Sequence, residues 1–151
     1  MTLLACLMLD KFKLHQKFNQ WPLHLTIVPW FIISPQHLTT FLNALSQSAG
    51  RVRPITLRAE AIDYFGPKKD KRVIRVVDTS QIRRLHSDLL KILDLSKAQL
   101  SSTSYIGENF VPHVTLKGNS KSISTTVSHE LYIVSLNERN VRQVVEIVKF
   151  G

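Results

Sequence analysis

Cysteine is almost missing from this chain: Cys6 is the only one. A single thiol excludes an internal disulfide and a cysteine-rich zinc site, and it fits a reducing, cytoplasmic setting. Acidic residues are scarce too, with 11 Asp+Glu against 20 Lys+Arg, a formal charge of +9 and a sequence pI near 10.0. No apolar stretch approaches the ~20 residues that a membrane span requires, so no membrane partner is expected. The opening run from Leu3 to Leu9 stops at Asp10 and lacks the positive region that leads a secretory signal; it reads as a buried first strand. No Pro/Gly/Ser-rich linker divides the chain.

What is present is globular. A hydrophobic fraction of 44% and a charged fraction of 21% over 151 residues suit one domain with a real core. The cationic surplus favours a polyanion such as RNA, a phosphorylated substrate or an acidic membrane, without choosing among them.

The apolar pattern predicts strands over 3–9 and 23–31, separated by the polar, basic segment DKFKLHQKFNQ as a loop or short helix. SPQHLTTFLNALSQSAG predicts a helix, with Ser34 as cap, Pro35 in the first turn and Gly50 at its end. Its Leu38, Phe41, Leu42 and Leu45 fall on one face. Runs 55–65 and 72–77 flank GPKKD and predict a hairpin. A second amphipathic helix follows, with Ile82, Leu85, Leu89, Ile92 and Leu93 on its apolar side and Asp78 or Thr79 as cap. FVPHVTLKG is a short strand. The segment from Glu130 to Phe150 could be helical by period, but its many Val and Ile residues predict two strands turning near 137–140. The order is that of an α+β fold.

One pattern occurs twice. WPLHLTIVPW and FVPHVTLKG each place Pro, then His-x-Thr, among apolar neighbours. Residues i and i+2 of a strand share a face, roughly 6.6 Å apart. His24 and Thr26 therefore point one way, as do His113 and Thr115. If the two strands are neighbours, two imidazoles and two hydroxyls converge. Such a tetrad suits a phosphate ester. One neutral histidine takes a proton, the other, protonated, gives one, and the hydroxyls hold the non-bridging oxygens.

This pair of motifs, HLTI and HVTL, resembles the two-histidine (2H) phosphoesterase superfamily, in its 2′-5′ RNA ligase and RNA 2′,3′-cyclic phosphodiesterase branch. The YFGPKKDKRVIRVV hairpin and the helix after the first motif extend the likeness over most of the chain. The resemblance implies a bilobal α+β fold of pseudo-twofold, duplicated lobes, with antiparallel strands, helices outside and a basic central cleft. It implies one domain, residues 1–151, of two intertwined lobes. It also implies cleavage of a cyclic phosphate on RNA or a nucleotide to a 2′-phosphate, or reversible 2′-5′ ligation, with no metal and no cofactor. Carried over by position, His24 and His113 are the catalytic acid/base pair, and Thr26 and Thr115 bind the phosphate. Lys117, two beyond Thr115, stands where relatives often have a basic residue and is a phosphate contact.

Trp30, Phe31, Tyr64 and Phe65 are candidates to stack on a base, with Trp30 and Tyr64 foremost. Lys68, Lys69, Lys71 and Arg72 form a possible phosphate clamp at a hairpin tip, and Arg83 and Arg84 read as helix-surface residues. His15, His37, His86 and His129 read as solvated. No third ligand is spaced to build zinc onto the His24–His113 pair. Partners are expected to be RNA or nucleotides bearing 2′,3′-cyclic phosphate, with the protein a monomer. The alternatives are a non-catalytic RNA-binding module, or a related enzyme on small substrates such as ADP-ribose cyclic phosphate or 2′-5′ oligonucleotides.

Overall fold

The structure is a computed structural model that describes residues 1–118 and 120–151. Its first half contains β1 (Thr2–Met8), β2 (Lys17–Phe18), β3 (His24–Ile32), α1 (Pro35–Ala49), β4 (Ile55–Leu57) and β5 (Ala59–Phe65). Then come β6 (Lys71–Val76), α2 (Ser80–Leu95), β7 (Gln99–Leu100), β8 (His113–Thr115), β9 (Thr126–Ser128), β10 (Glu130–Leu136) and β11 (Arg142–Lys149). The main sheet runs β2-β11-β10-β1-β3-β8-β6-β5, with β7 added beside the end of β3 and β4-β9 forming a separate ribbon. Every strand pairing is antiparallel. This is the mixed α+β fold expected, with β3 and β8 at the middle of the sheet.

Side-chain alternation decides which face meets which core. Leu3, Ala5 and Leu7 join Leu25, Ile27, Ile74, Val114 and the apolar sides of both helices in the main core. The helices therefore lie on one face of the sheet. Leu4, Cys6 and Met8 point to the other face, into a smaller cluster with Tyr132, Val134 and Val144. A strand buried on both faces reads as an unbroken apolar run, which is why β1 lacks alternation. The cover over that second cluster is the segment between β1 and β3. Its Phe12, Phe18 and Trp21 pack inward while its lysines stay outside, and Tyr132 Oη accepts from Phe12 N–H at 3.3 Å. The basic segment is thus an aromatic-lined flap, with a two-residue strand pairing β11.

Several local expectations change. Ser34 does not cap α1; its hydroxyl meets His37 Nδ1 at 2.7 Å instead. Thr79 does cap α2, accepting from Ile82 N–H at 3.2 Å. The run 55–65 breaks at Arg58 into two strands in different sheets, because β4 pairs β9 while β5 pairs β6. The 137–140 turn is present, with Asn140 at φ 58° and Asn137 Oδ1 accepting from Arg139 and Val141 N–H.

Candidate active site

The site is a consequence of register. Leu25 pairs with Val114 across antiparallel β3 and β8, and both are fully buried on the helix side. One step either way puts His24 opposite Thr115 and Thr26 opposite His113, all on the other face. The histidines are then diagonal neighbours, a relation that places Cα atoms roughly 7–8 Å apart. A local two-fold through the Leu25–Val114 pair exchanges the two motifs. The sheet thus brings together all four residues read from the sequence.

Each imidazole is fixed the same way. His24 Nδ1 lies 2.8 Å from Pro22 O, and His113 Nδ1 lies 2.7 Å from Val111 O. A carbonyl only accepts, so Nδ1 carries the proton in both rings and Nε2 is left for the cleft. The acceptor is in each case the carbonyl two residues upstream.

Their surroundings differ. Trp21 stacks on His24, with centroids 4.1 Å apart and planes at 27°. The Arg142 guanidinium lies 5.3 Å from the Trp21 centroid, and Lys117 Nζ donates to Trp21 O. Burial, with Lys117, His113 and Arg142 nearby, outweighs the bond to Pro22 and pushes His24 down to about 4. Burial also lowers His113, against the bond to Val111. The nearest cation in register to His113 is Arg75, directly opposite on β6, and Asp63 offsets it at 3.6 Å. Phe65 meets the His113 ring edge-on at 4.6 Å, and Tyr105 lies parallel to Phe65 at 6.2 Å.

The cleft accordingly has two unlike walls. A hollow of about 590 Å³ beside His24 and Thr26 is lined by Trp21, Trp30, Lys71, Arg72 and Lys117, with Asp70 as its one carboxylate. One of about 400 Å³ beside His113 and Thr115 is lined by Phe65, Ser104 and Tyr105 and shares Lys71. The first wall is cationic, and among the described residues Lys71, Arg72, Lys117 and Arg142 make no ion pair. Arg72 instead donates to Gly118 O at 3.0 Å and to Ser120 O, fixing the loop after β8.

Of the aromatic candidates, Trp30 lines the cleft. Tyr64 does not: it alternates with Phe65 along β5, lines neither hollow and is half exposed. Phe31 is core. Phe65, one residue on from Tyr64, is on the cleft face. Trp21, Tyr105 and Arg142 were not among the residues read from sequence; Trp21 alone carried a signal, lying three residues before His24 beside Pro22. Arg83 is no plain surface residue, since it bonds Asp78, Gly107 O and Phe110 O. Lys68 and Lys69 are exposed in the turn between β5 and β6. His86 is buried, contrary to its reading as solvated. Among the described residues no three His, Cys, Asp or Glu side chains group as metal ligands.

Comparison with known proteins gives a family and a fold. A family model described as the 2′-5′ RNA ligase superfamily matches residues 7–133. No curated protein sequence matches the chain. Among solved structures, one titled as a phosphoesterase is similar at TM-score 0.68 and 13% identity, covering 99% of this chain and 98% of that one. E. coli LigT complexed with NADP+ aligns at TM-score 0.66 and 12% identity, over 99% and 96% of the two chains. A protein of Thermus thermophilus aligns at TM-score 0.61 and 18% identity, over 99% and 98%. LigT has also been crystallised with 3′-AMP; that structure aligns at TM-score 0.63 and 12% identity, over 99% and 97%.

Proposed function

The chain belongs to the 2′-5′ RNA ligase superfamily, the 2H phosphoesterases, and from that membership we propose that it hydrolyses 2′,3′-cyclic phosphate ends of RNA or nucleotides without a metal. The observation that carries this reading is the β3–β8 register, which sets two identically tethered histidines and two threonines on one cleft face. That LigT is found with NADP+ and with 3′-AMP supports a nucleotide in the cleft here.

In the proposed reaction, Thr26 and Thr115 hold the non-bridging oxygens, with Lys117 beside them. His24, kept neutral by burial and by the neighbouring cations, takes a proton from water through Nε2 as the water oxygen bonds to phosphorus. The P–O3′ bond breaks, and His113 Nε2–H gives its proton to the leaving oxygen, leaving a 2′-phosphate. His113 suits the acid role because Asp63 offsets the cation beside it, and a bound phosphate favours its protonated form. With a 5′-hydroxyl in place of water, the same groups in the same direction join it to the cyclic end as a 2′-5′ linkage, and in reverse they cleave that linkage back to the cyclic phosphate. The cationic wall suits the backbone of an RNA strand, and the Phe65–Tyr105 wall suits a base.

The test is incubation with the four nucleoside 2′,3′-cyclic phosphates and a short RNA carrying that end, with and without EDTA. Turnover is expected in both conditions and is lost in His24→Ala and His113→Ala, each of which stays folded. Loss of about 10² to 10⁴-fold is the usual scale for such groups. Turnover that EDTA abolishes, or that survives either substitution, overturns the mechanism. Tight, salt-sensitive RNA binding with no turnover leaves the RNA-binding module instead.

A further inference from the structure

His86 is 2% exposed, and neither ring nitrogen is idle. Nδ1 donates to Ile27 O at 2.7 Å, and Nε2 accepts from Gly107 N–H at 2.9 Å. The ring lies flat on Phe110, with centroids 4.0 Å apart and planes at 6°. Only the neutral Nδ1–H form satisfies both bonds, and burial lowers its pKa accordingly.

The two ends of this bridge are the two motifs. Ile27 follows Thr26 on β3. Gly107 and Phe110 belong to the loop that carries Tyr105 and ends at Val111, whose carbonyl holds His113. There is a reason for the bridge at this point. β3 bulges at Ile27, which its pairing with β1 skips between Thr26 and Val28, and β8 begins only at His113, after Pro112, which has no N–H to give. Pro112 O is used by β6, accepting from Val76 N–H at 2.9 Å. The imidazole supplies the donor the strand lacks, and with its other nitrogen takes hold of the loop. Gly107 sits at φ 61°, so the turn it makes is one a side chain resists.

We propose that His86 is a positioning residue for the proposed cyclic-phosphate chemistry: it splices the loop Ser101–Pro112 to β3 and so sets the His113 half-site against the His24 half-site. It touches no reacting atom. It acts through Gly107 and Phe110 on Val111 O, the acceptor that orients His113, and on Tyr105, which walls the cleft. The inference rests on the proposed function for its kinetic consequence but not for the clamp itself.

Two amide substitutions separate the two bonds. His86→Gln puts an acceptor near the Nε2 position and keeps Gly107; His86→Asn puts a donor near the Nδ1 position and keeps Ile27. His86→Leu keeps neither. The expected result is that Asn and Leu lose amide-exchange protection at Gly107 while Gln keeps it, and that all three, each cutting at least one end of the splice, move the NMR titration of His113. Turnover number then falls about 10- to 100-fold in all three, the scale of a small misplacement at a reacting centre. Equal loss of melting temperature in all three, with unchanged His113 titration and unchanged kcat, overturns the clamp and leaves the ring as packing. If the wild type turns over no cyclic phosphate, the proposed activity fails, and exchange at Gly107 with titration of His113 still decides the clamp.

Discussion

The chemistry of this site depends on where two protons sit. Each imidazole of the proposed acid/base pair spends Nδ1–H on a carbonyl two residues back, so tautomer and ring angle are set by the backbone. For His24, held near 4, the neutral form dominates at every pH well above that value. The acid limb of kcat/KM governed by this base is expected well below 6.5, and an NMR titration of the free protein checks it. Lys117→Met removes a cation that lowers His24, so the His24 midpoint should rise in that variant; a fall would contradict the contact. Stability follows the same sign. A histidine whose folded pKa is depressed binds more protons when unfolded, so stability is full above about 6.5 and declines as pH falls toward the folded value. His24, His86 and His113 all contribute in that direction, each by at most about 1.4 kcal/mol per pH unit. Denaturant titrations at pH 7 and pH 5 should show the lower midpoint at pH 5. At this scale the tetrad was legible because period two and a repeated motif need no tertiary knowledge. His86 was legible in principle: with Ile82, Leu85 and Leu89 it completes the i, i+3, i+4, i+7 face of α2, and a polar residue on that face is buried. Arg142 carried no signal, since only the fold brings β11 to Trp21.

At the scale of elements, β8 is three residues long yet holds half the site, and it does so between longer neighbours, β3 and β6. Val114 is its single core residue and is fully buried. Stability therefore resides around the site more than in it. Phe41 on α1 packs edge-on to Phe31 of β3 at 5.4 Å; Phe41→Ala should cost about 3–5 kcal/mol in denaturant unfolding, with kcat of the folded fraction retained. Thr79→Ala removes the α2 cap and should cost about 0.5–2 kcal/mol by the same measurement. Elements were predicted well where hydrophobic period was long: both helices, β1, β3 and the final hairpin. The short pieces β2, β7 and β9 exist because a neighbouring strand offers an edge, and no local pattern announces that; β4 was read as strand within 55–65, but its break from β5 at Arg58 was not. Tyr64 and Phe65 show the cost of not knowing register. A shift of one residue exchanges faces, so choosing the wrong member of an adjacent aromatic pair puts the ring on the wrong side of the sheet.

Over the whole molecule, the excess of positive charge becomes a local fact at one cleft wall, where Lys71, Arg72 and Lys117 make no ion pair among the described residues. If these three meet phosphates of a single strand as proposed, RNA affinity is expected to follow a log–log salt slope of about −2. Titration of a short single-stranded RNA over a salt series measures it, and Lys71→Ala should make the slope shallower. The net charge alone predicted a polyanion and could not say which surface it met, because only strand order collects residues 71, 72 and 117.

The local two-fold between β3 and β8 has one more consequence. Two half-sites that exchange under rotation offer a cyclic phosphate two poses, related by half a turn, in which base and acid trade places while the same ester oxygen departs. Backbone position alone does not tell these poses apart. The surroundings do, because the symmetry repeats neither wall: the cations beside His24 help to depress that imidazole, and the rings stand beside His113. Rebuilding Phe65 and Tyr105 as cations and the lysine wall as rings would turn the substrate around and pass the base's role to His113.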